Sequence, residues 1–268
     1  MHATADGSIY NRWNSKRSVW GRFSTLSKPN PRIDQSQRRM AISIVDYELP
    51  YDTHNVYGVS FYNDRVHTMV TSNSAMVESW LSNVTPANPN HRIVGLDVEW
   101  RPNNRYHHNP IATLQLCTGP NYPGSLQIPA GTVLPGVSLD PNCLIFQVLH
   151  SDWIPHSLST FLANPAFTFV GVGIESDCEK LLLDYRLRVA NVVDLRGLAA
   201  DRLGVWELRN FGLKRLASAV LGKELEKPKS VTLSRWDSQW LTYAQIQYAA
   251  VDAFISYEIA RQLNLRGA

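Results

Sequence analysis

Cysteine is scarce in this chain. Cys117, Cys143 and Cys178 are the three that 268 residues contain. They form no CxxC pair and no even set, which argues against a disulfide framework or a zinc site and makes a reducing compartment the expectation. Long apolar runs are also missing: no stretch approaches the roughly 20 residues that a membrane span requires, so no membrane partner is expected. Charged residues make up 18% and hydrophobic ones 44%, a balance that excludes a wholly disordered chain and allows a sizeable core. Acidic residues are scarce at one end. Residues 1–40 hold Arg12, Lys16, Arg17, Arg22, Lys28, Arg32, Arg38 and Arg39 against only Asp6 and Asp34, a charge of +6 in a chain whose total is +3, so the remainder is about −3. This basic, Ser-, Asn- and Pro-containing segment has no clear period and is expected to be a disordered tail. Its acid-poor composition is compatible with an organellar transit peptide, but no amphipathic face is evident, and the nucleus or cytoplasm is the preferred expectation. The triplet Asn83-Val84-Thr85 is a formal glycosylation sequon of a kind common by chance.

What is present is a set of acidic residues in unusual settings. Asp97 and Glu99 end the apolar run Ile93-Val94-Gly95-Leu96, which reads as a buried strand whose alternation puts both carboxylates on one face. Charged groups in so apolar a strand are rarely buried unless paired or metal-bound, because they repel unless a cation joins them. Asp177 follows a second apolar run, 167–174, and falls in the first turn of the helix that Glu179-Lys180-Leu181-Leu182-Leu183 announces. An Asp there is ordinarily a cap. Tyr248 and Asp252 sit four apart in a helical pattern over 242–263, one above the other on one face, where a solvated pair is the ordinary outcome.

Jointly the pattern resembles the DEDDy subclass of the DnaQ-like 3′-to-5′ exonucleases, and within it the Werner-like exonuclease domains, including plant relatives. The resemblance runs over about residues 90–264. It rests on GLDVEW, FVGVGIESDCEKLLLDY and NFGLKRLASAVLGKELEKPKSVTLSRWDSQWLTYAQIQYAAVDAF. It implies that Asp97, Glu99, Asp177 and Asp252 are metal ligands. The histidine subclass would place its histidine at position 247, which is Gln247, whereas the tyrosine subclass needs Tyr248, which is present.

The chemistry explains these residue types. In-line hydrolysis of a phosphodiester needs an activated water and a stabilised leaving 3′-oxygen, and two divalent ions roughly 3.5–4 Å apart supply both. Mg²⁺ or Mn²⁺ prefer carboxylate oxygen. The expected division has Asp97 bridging two ions, Glu99 and Asp252 completing one, and Asp177 holding the other through water. Tyr248, with a reference pKa of about 10, is expected to orient the nucleophilic water rather than remove its proton.

The rest of the chain reads as strands over 41–47, 55–61 and 66–71, with a hairpin turn at 62–65 and a helix over 74–81. The catalytic strand follows, then strands over 112–117 and 144–149, separated by a Gly- and Pro-rich insert at 119–141 expected to be a surface lobe or homo-oligomer contact. Helix 156–163, strand 167–174, helix 177–186, strand 189–194 and helices near 196–203, 211–221 and 242–263 complete a mixed α/β sheet covered on both faces. The resemblance narrows this to a ribonuclease H-like five-stranded mixed sheet over about 90–264, preceded by a short β-rich extension from residue 41. Lys223, Lys227, Lys229 and Arg235, in a basic loop ending at Trp236, together with Trp100, are candidate contacts to phosphate and base. Alternatively, Trp236 belongs to the core and Trp100 to packing. His107-His108 reads as part of a polar turn rather than a metal site. The expected function is a metal-dependent 3′-to-5′ exonuclease acting on single-stranded 3′ ends, with DNA and RNA both open. The alternative is a catalytically weak nucleic-acid-binding or scaffold protein of the same fold, although such relatives usually lose carboxylates that this chain retains.

Overall fold

The run Ile93-Val94-Gly95-Leu96 becomes the strand β4, Ile93–Glu99. Its neighbours follow from the same alternation of apolar residues. In the computed structural model, which describes residues 42–50, 52–85, 87–88, 92–120 and 140–265, the strands are β1 Ile42–Asp46, β2 Asn55–Phe61, β3 Asp64–Thr71, β4, β5 Thr113–Thr118, β6 Asn142–Phe146, β7 Thr168–Gly171 and β8 Val192–Asp194. The α-helices are α1 Ser74–Ser82, α2 His156–Ala163, α3 Ile174–Tyr185, α4 Leu195–Leu203, α5 Leu213–Leu216, α6 Lys229–Thr232 and α7 Tyr243–Gln262. A π-helical turn, Ala217–Leu221, extends α5.

All eight strands lie in one sheet, in the order β1-β2-β3-β6-β5-β4-β7-β8. The last five are the expected core. Within it β5 runs antiparallel to both β4 and β6, and β4, β7 and β8 run parallel. The β-rich extension is continuous with this core: β1, β2 and β3 form an antiparallel meander, and β3 pairs parallel with β6 from His67↔Asn142 to Thr71↔Phe146. The β2–β3 turn contains Tyr62 at φ 55°. The insert and the basic tail expected at 1–40 fall on residues outside those described, apart from positions 119, 120, 140 and 141 of the insert.

Two apolar clusters sandwich the sheet. Ile93 belongs to the cluster that contains α4, α5 and α7 residues, whereas Val94, Leu96 and Val98 belong to the opposite cluster with α1, α2 and α3. This alternation fixes the face of the carboxylates. Asp97 and Glu99 must share the side of Ile93 and Gly95, beneath α7. The helix comes very close there, because a Cβ added at Gly95 would lie 2.0 Å from the Ala253 carbonyl oxygen and 2.9 Å from the Tyr257 nitrogen. Glycine is therefore required at 95 for close approach rather than for an unusual φ.

Two further differences from the sequence reading are local. The helix expected from 177 starts at Ile174, because Gly173 at φ 74° turns the chain earlier, and the basic loop over 223–230 carries the short helix α6.

Gly95→Ala is expected to lower stability by about 1–3 kcal/mol or more, since backbone rather than a flexible side chain must yield, and to reduce activity by lifting α7 from β4. Gly212→Ala, where an added Cβ meets nothing within 4 Å, is the control. Urea unfolding of both variants checks the difference, and equal losses would contradict it.

Candidate active site

Carboxylates converge where β4 passes under α7. Asp97, Glu99 and Asp252 each offer an oxygen, and these oxygens all lie within 4.8 Å of one another. β4 supplies the first two by alternation, and α7 supplies the third from a helix fixed at its start by a capping box. The Thr242 side chain accepts from the Gln245 backbone, and Gln245 Oε1 accepts from the Thr242 N–H at 2.9 Å. Gln245 also donates to Ser234 Oγ at 3.0 Å, tying the helix start to the preceding loop.

Asp177 stands outside this trio, but its charge acts on Asp97 and Glu99. It lies in the first turn of α3, behind Gly173, whose N–H donates to Asp194 Oδ2 at 2.9 Å. Asp194 caps α4 as well, accepting from the Arg196 N–H at 2.8 Å, and is clasped by the Arg196 guanidinium at 2.6 Å. Burial raises the Asp194 pKa, yet the hydrogen bonds from Arg196 and Gly173 bring it below the ordinary value. An ionised Asp194 thus holds the turn that presents Asp177.

The electrostatics are those of like charges kept from water. Asp97 is pushed well above the usual carboxylate range by burial, then by Asp252 and Asp177. Glu99 is pushed up to about 10 by burial, then by Asp97 and Asp252, and Asp177 to about 7 by burial and then Glu175. Asp252 is raised by burial, against the opposing pull of Lys227. Burial, followed by Asp252, Glu99 and Asp97, raises the Tyr248 phenol, so it remains protonated. Among the described residues, Asp97 Oδ2 and Asp252 Oδ1 are buried with no hydrogen-bond partner. Buried carboxylate oxygens in that condition are costly. The all-oxygen donor set fits a hard divalent cation, which would satisfy them.

The basic candidates divide. Lys227 Nζ is 2.6 Å from Asp252 Oδ2, so it sits inside the carboxylate cluster rather than on an open phosphate-binding surface. Lys223 pairs with Asp64, joining its loop to the β2–β3 hairpin. Lys229 and Arg235 are exposed, and Arg235 faces Asp237 at 3.5 Å. Trp100 packs against the cluster on the opposite side of the sheet from Glu99, with the Lys180 ammonium 5.1 Å from its ring. The structure thereby corrects the expectation of a base contact from Trp100, because alternation turns it away from the carboxylates. Trp236 is fully buried and lies 6.0 Å from the Tyr248 ring, which it supports as core.

Several contributors escaped the sequence reading. Arg101, two residues past Glu99, pairs with Asp237 at 3.1 Å and joins the two loops beside the site. His150 and Gln147 hold the same loop through the Asp237 and Gln239 carbonyls. Lys180 and Asp184 form a buried pair at 3.0 Å, and Lys180 donates to the Asn109 carbonyl at 2.8 Å, pinning the loop after β4 onto α3. His108 completes that group, 3.1 Å from Lys180 Nζ. The i,i+4 spacing of Lys180 and Asp184 was the available signal. Asp194 had the local signal of an acidic cap two residues before Arg196, whereas the pairings of Arg101 with Asp237 and of Asp194 with Gly173 had none, being distant in sequence.

A mixed sheet with this strand order, with acidic residues gathered where α7 crosses β4, has the ribonuclease H-like fold. The 3'-5' exonuclease family model matches residues 69–268, and the chain belongs to that family. An Arabidopsis thaliana 3'-5' exonuclease is 34% identical over 174 residues, covering 64% of this chain and 52% of that protein. The mouse bifunctional 3'-5' exonuclease/ATP-dependent helicase WRN is 31% identical over 179 residues, covering 65% of this chain and 11% of the relative. The chain therefore spans about half the length of the first relative and about a tenth of the second. Among solved structures, Escherichia coli RNase D superposes with a TM-score of 0.53 at 20% identity over 72% of this chain and 43% of that one, a likeness of fold. Among the described residues, no helix is long and apolar enough to cross a membrane.

The raised carboxylates give a signed expectation for stability. Their folded pKa values exceed the unfolded ones, so the folded state binds more protons and stability falls as pH rises, from 4.5 to about 10 for Glu99 and from 3.8 to about 7 for Asp177. The melting temperature in a chelator should decline between about pH 5 and pH 9, and Mn²⁺ should raise it more at the upper end. An Mn²⁺ effect that is the same at both pH values would contradict this.

Proposed function

We propose that this chain is a metal-dependent 3′-to-5′ exonuclease that removes nucleotides from single-stranded 3′ ends of DNA or RNA. The observation that carries the reading is the pair of buried oxygens, Asp97 Oδ2 and Asp252 Oδ1, that find no hydrogen-bond partner among the described residues, within a cluster completed by Glu99. Mg²⁺ or Mn²⁺, two per site, would be held by Asp97, Glu99 and Asp252 on one side and by Asp97 and Asp177 on the other. When bound, they supply an activated water and neutralise the leaving 3′-oxygen.

The protein's own groups do the rest. Tyr248, one turn before Asp252 on α7, keeps its proton and orients the attacking water with its hydroxyl. Trp236 packs beside its ring. The same burial that raises the carboxylates excludes bulk water, which strengthens every charge interaction at the reacting phosphate. Exposed Lys229 and Arg235, on the basic segment that also delivers Lys227, would hold backbone phosphate beyond the scissile one. A paired terminus must fray before its last base can splay into such a cleft, at about 1.4 kcal/mol per step, so recessed and blunt ends are poorer substrates. The chemistry requires no residue from 1–40, which we assign as a tail outside the catalytic domain over 41–264.

Asp97→Asn should abolish cleavage while leaving the fold intact, since it removes a repelling charge and a ligand together. Normal turnover of that variant at saturating Mg²⁺ or Mn²⁺ would overturn the assignment. Tyr248→Phe should lower kcat by roughly 10²- to 10⁴-fold with metal affinity nearly unchanged. A loss of metal binding at unchanged rate per occupied site would make the tyrosine structural. Polarity is read with 5′-labelled oligonucleotides: a descending ladder is expected, a 3′-phosphorylated strand should resist, and cleavage of a circular single strand would indicate an endonuclease.

A further inference from the structure

Lys227 enters the carboxylate cluster from a segment that is neither helix nor strand, between Gly222, at φ 65°, and Pro228, which starts α6. Extended alternation explains its direction: Glu224 and Glu226 face solvent, Leu225 is buried, and Lys227 follows Leu225 inward. Its ammonium lies 2.6 Å from Asp252 Oδ2 and 5.2 Å from the centre of the Tyr248 ring. Its side chain keeps 30% of its exposure, against 2% for Asp252.

One ammonium carries one charge and reaches one side of the cluster. Asp252 Oδ1 and Asp97 Oδ2 remain without hydrogen-bond partners among the described residues. A divalent ion bound by Asp252 would sit within a few ångströms of this ammonium, where two cations repel strongly. The four-carbon stem offers an exit, because Leu225 can stay anchored while the exposed portion of the side chain swings outward.

We propose that Lys227 is the resident cation of the carboxylate cluster, holding it together in the metal-free protein and competing with the divalent ion for Asp252. This rests on the metal-site reading above. Lys227 thereby sets the metal concentration at which the site fills, and it keeps the repelling carboxylates in place before the ion arrives. The structure thus moves Lys227 from a nucleic-acid contact, as its basic loop suggested, to a group that acts on the metal site.

The test uses the full chain, with Mn²⁺ binding followed by electron paramagnetic resonance of the free ion and by thermal shift at about pH 8. Lys227→Met should melt lower than the unaltered protein in chelator and should half-saturate at an Mn²⁺ concentration about tenfold or more below it, having lost the competitor. Lys227→Arg, which keeps the charge, should stay within about threefold of the unaltered protein. In the unaltered protein, reductive methylation of Lys227, read by mass spectrometry, should increase when Mn²⁺ replaces chelator, and this measurement decides the matter alone if Lys227→Met does not fold. Unchanged or weaker Mn²⁺ binding by Lys227→Met, or methylation indifferent to Mn²⁺, would overturn this inference while leaving the metal site standing. Absence of Mn²⁺ binding by the unaltered protein would instead remove the metal reading and this inference together.

Discussion

Repulsion among carboxylates in a dry cleft is the constraint on which the rest of this structure depends. Asp97, Glu99 and Asp252 come within a few ångströms of one another because β4 and α7 touch at Gly95. Neither element could tolerate this arrangement for its own stability. A buried carboxylate is ordinarily satisfied by hydrogen bonds or an ion pair; Lys227 reaches only Oδ2 of Asp252, and among the described residues Asp252 Oδ1 and Asp97 Oδ2 have no hydrogen-bond partner. The apolar clusters on both faces of the sheet must therefore supply the stability that the site withholds. Strain of this kind, maintained by an otherwise well-packed scaffold, is the expected signature of a site built for a ligand.

The surrounding contacts hold the acids in place from two sides. Asp194 locks the Gly173 turn that starts α3 and sets Asp177. The Thr242–Gln245 capping box and its bond to Ser234 fix the start of α7, and with it Tyr248 and Asp252. Trp236 fills the space beside Tyr248, while Arg101–Asp237 joins the loop after β4 to the loop before α7. Ser234, Trp236 and Asp237 belong to one segment, in which the Trp236 N–H donates to the Ser234 carbonyl at 3.1 Å, so the supports of Tyr248 and Asp252 are coupled through it, whereas Asp177 is held through Gly173 and Asp194. Lys180 and Asp184 add a buried pair that secures the loop following β4. Breaking one partner of such a pair is costly, because the other is left charged in the interior.

Much of this was legible in the sequence because it is periodic. Alternation in β4 assigned Asp97 and Glu99 to one face, and four-residue spacing in α7 stacked Tyr248 over Asp252. The resemblance joined these motifs to Asp177 before any contact was known. The individual core strands also followed from apolar runs and their assembly into one sheet from the resemblance, whereas the continuity of the N-terminal meander with that core followed from neither, since the β3–β6 pairing joins segments that no local pattern relates. Alternation could equally have shown that Trp100 faces away from Glu99, and its apparent nearness in sequence was misleading. Lys227 was the harder case. Its loop has the composition of a phosphate grip, and only the packing of Leu225 reveals that the next residue but one points to Asp252. The Asp194–Gly173 and Arg101–Asp237 contacts join residues distant in sequence, for which no motif exists.

Anomalous diffraction from crystals grown with Mn²⁺ would locate the ion without relying on turnover. Two manganese peaks bounded by Asp97, Glu99, Asp252 and Asp177 are expected, with the Lys227 ammonium withdrawn from Asp252. A cleft with no manganese and Lys227 still paired to Asp252, in crystals that bind the ion elsewhere, would contradict this expectation.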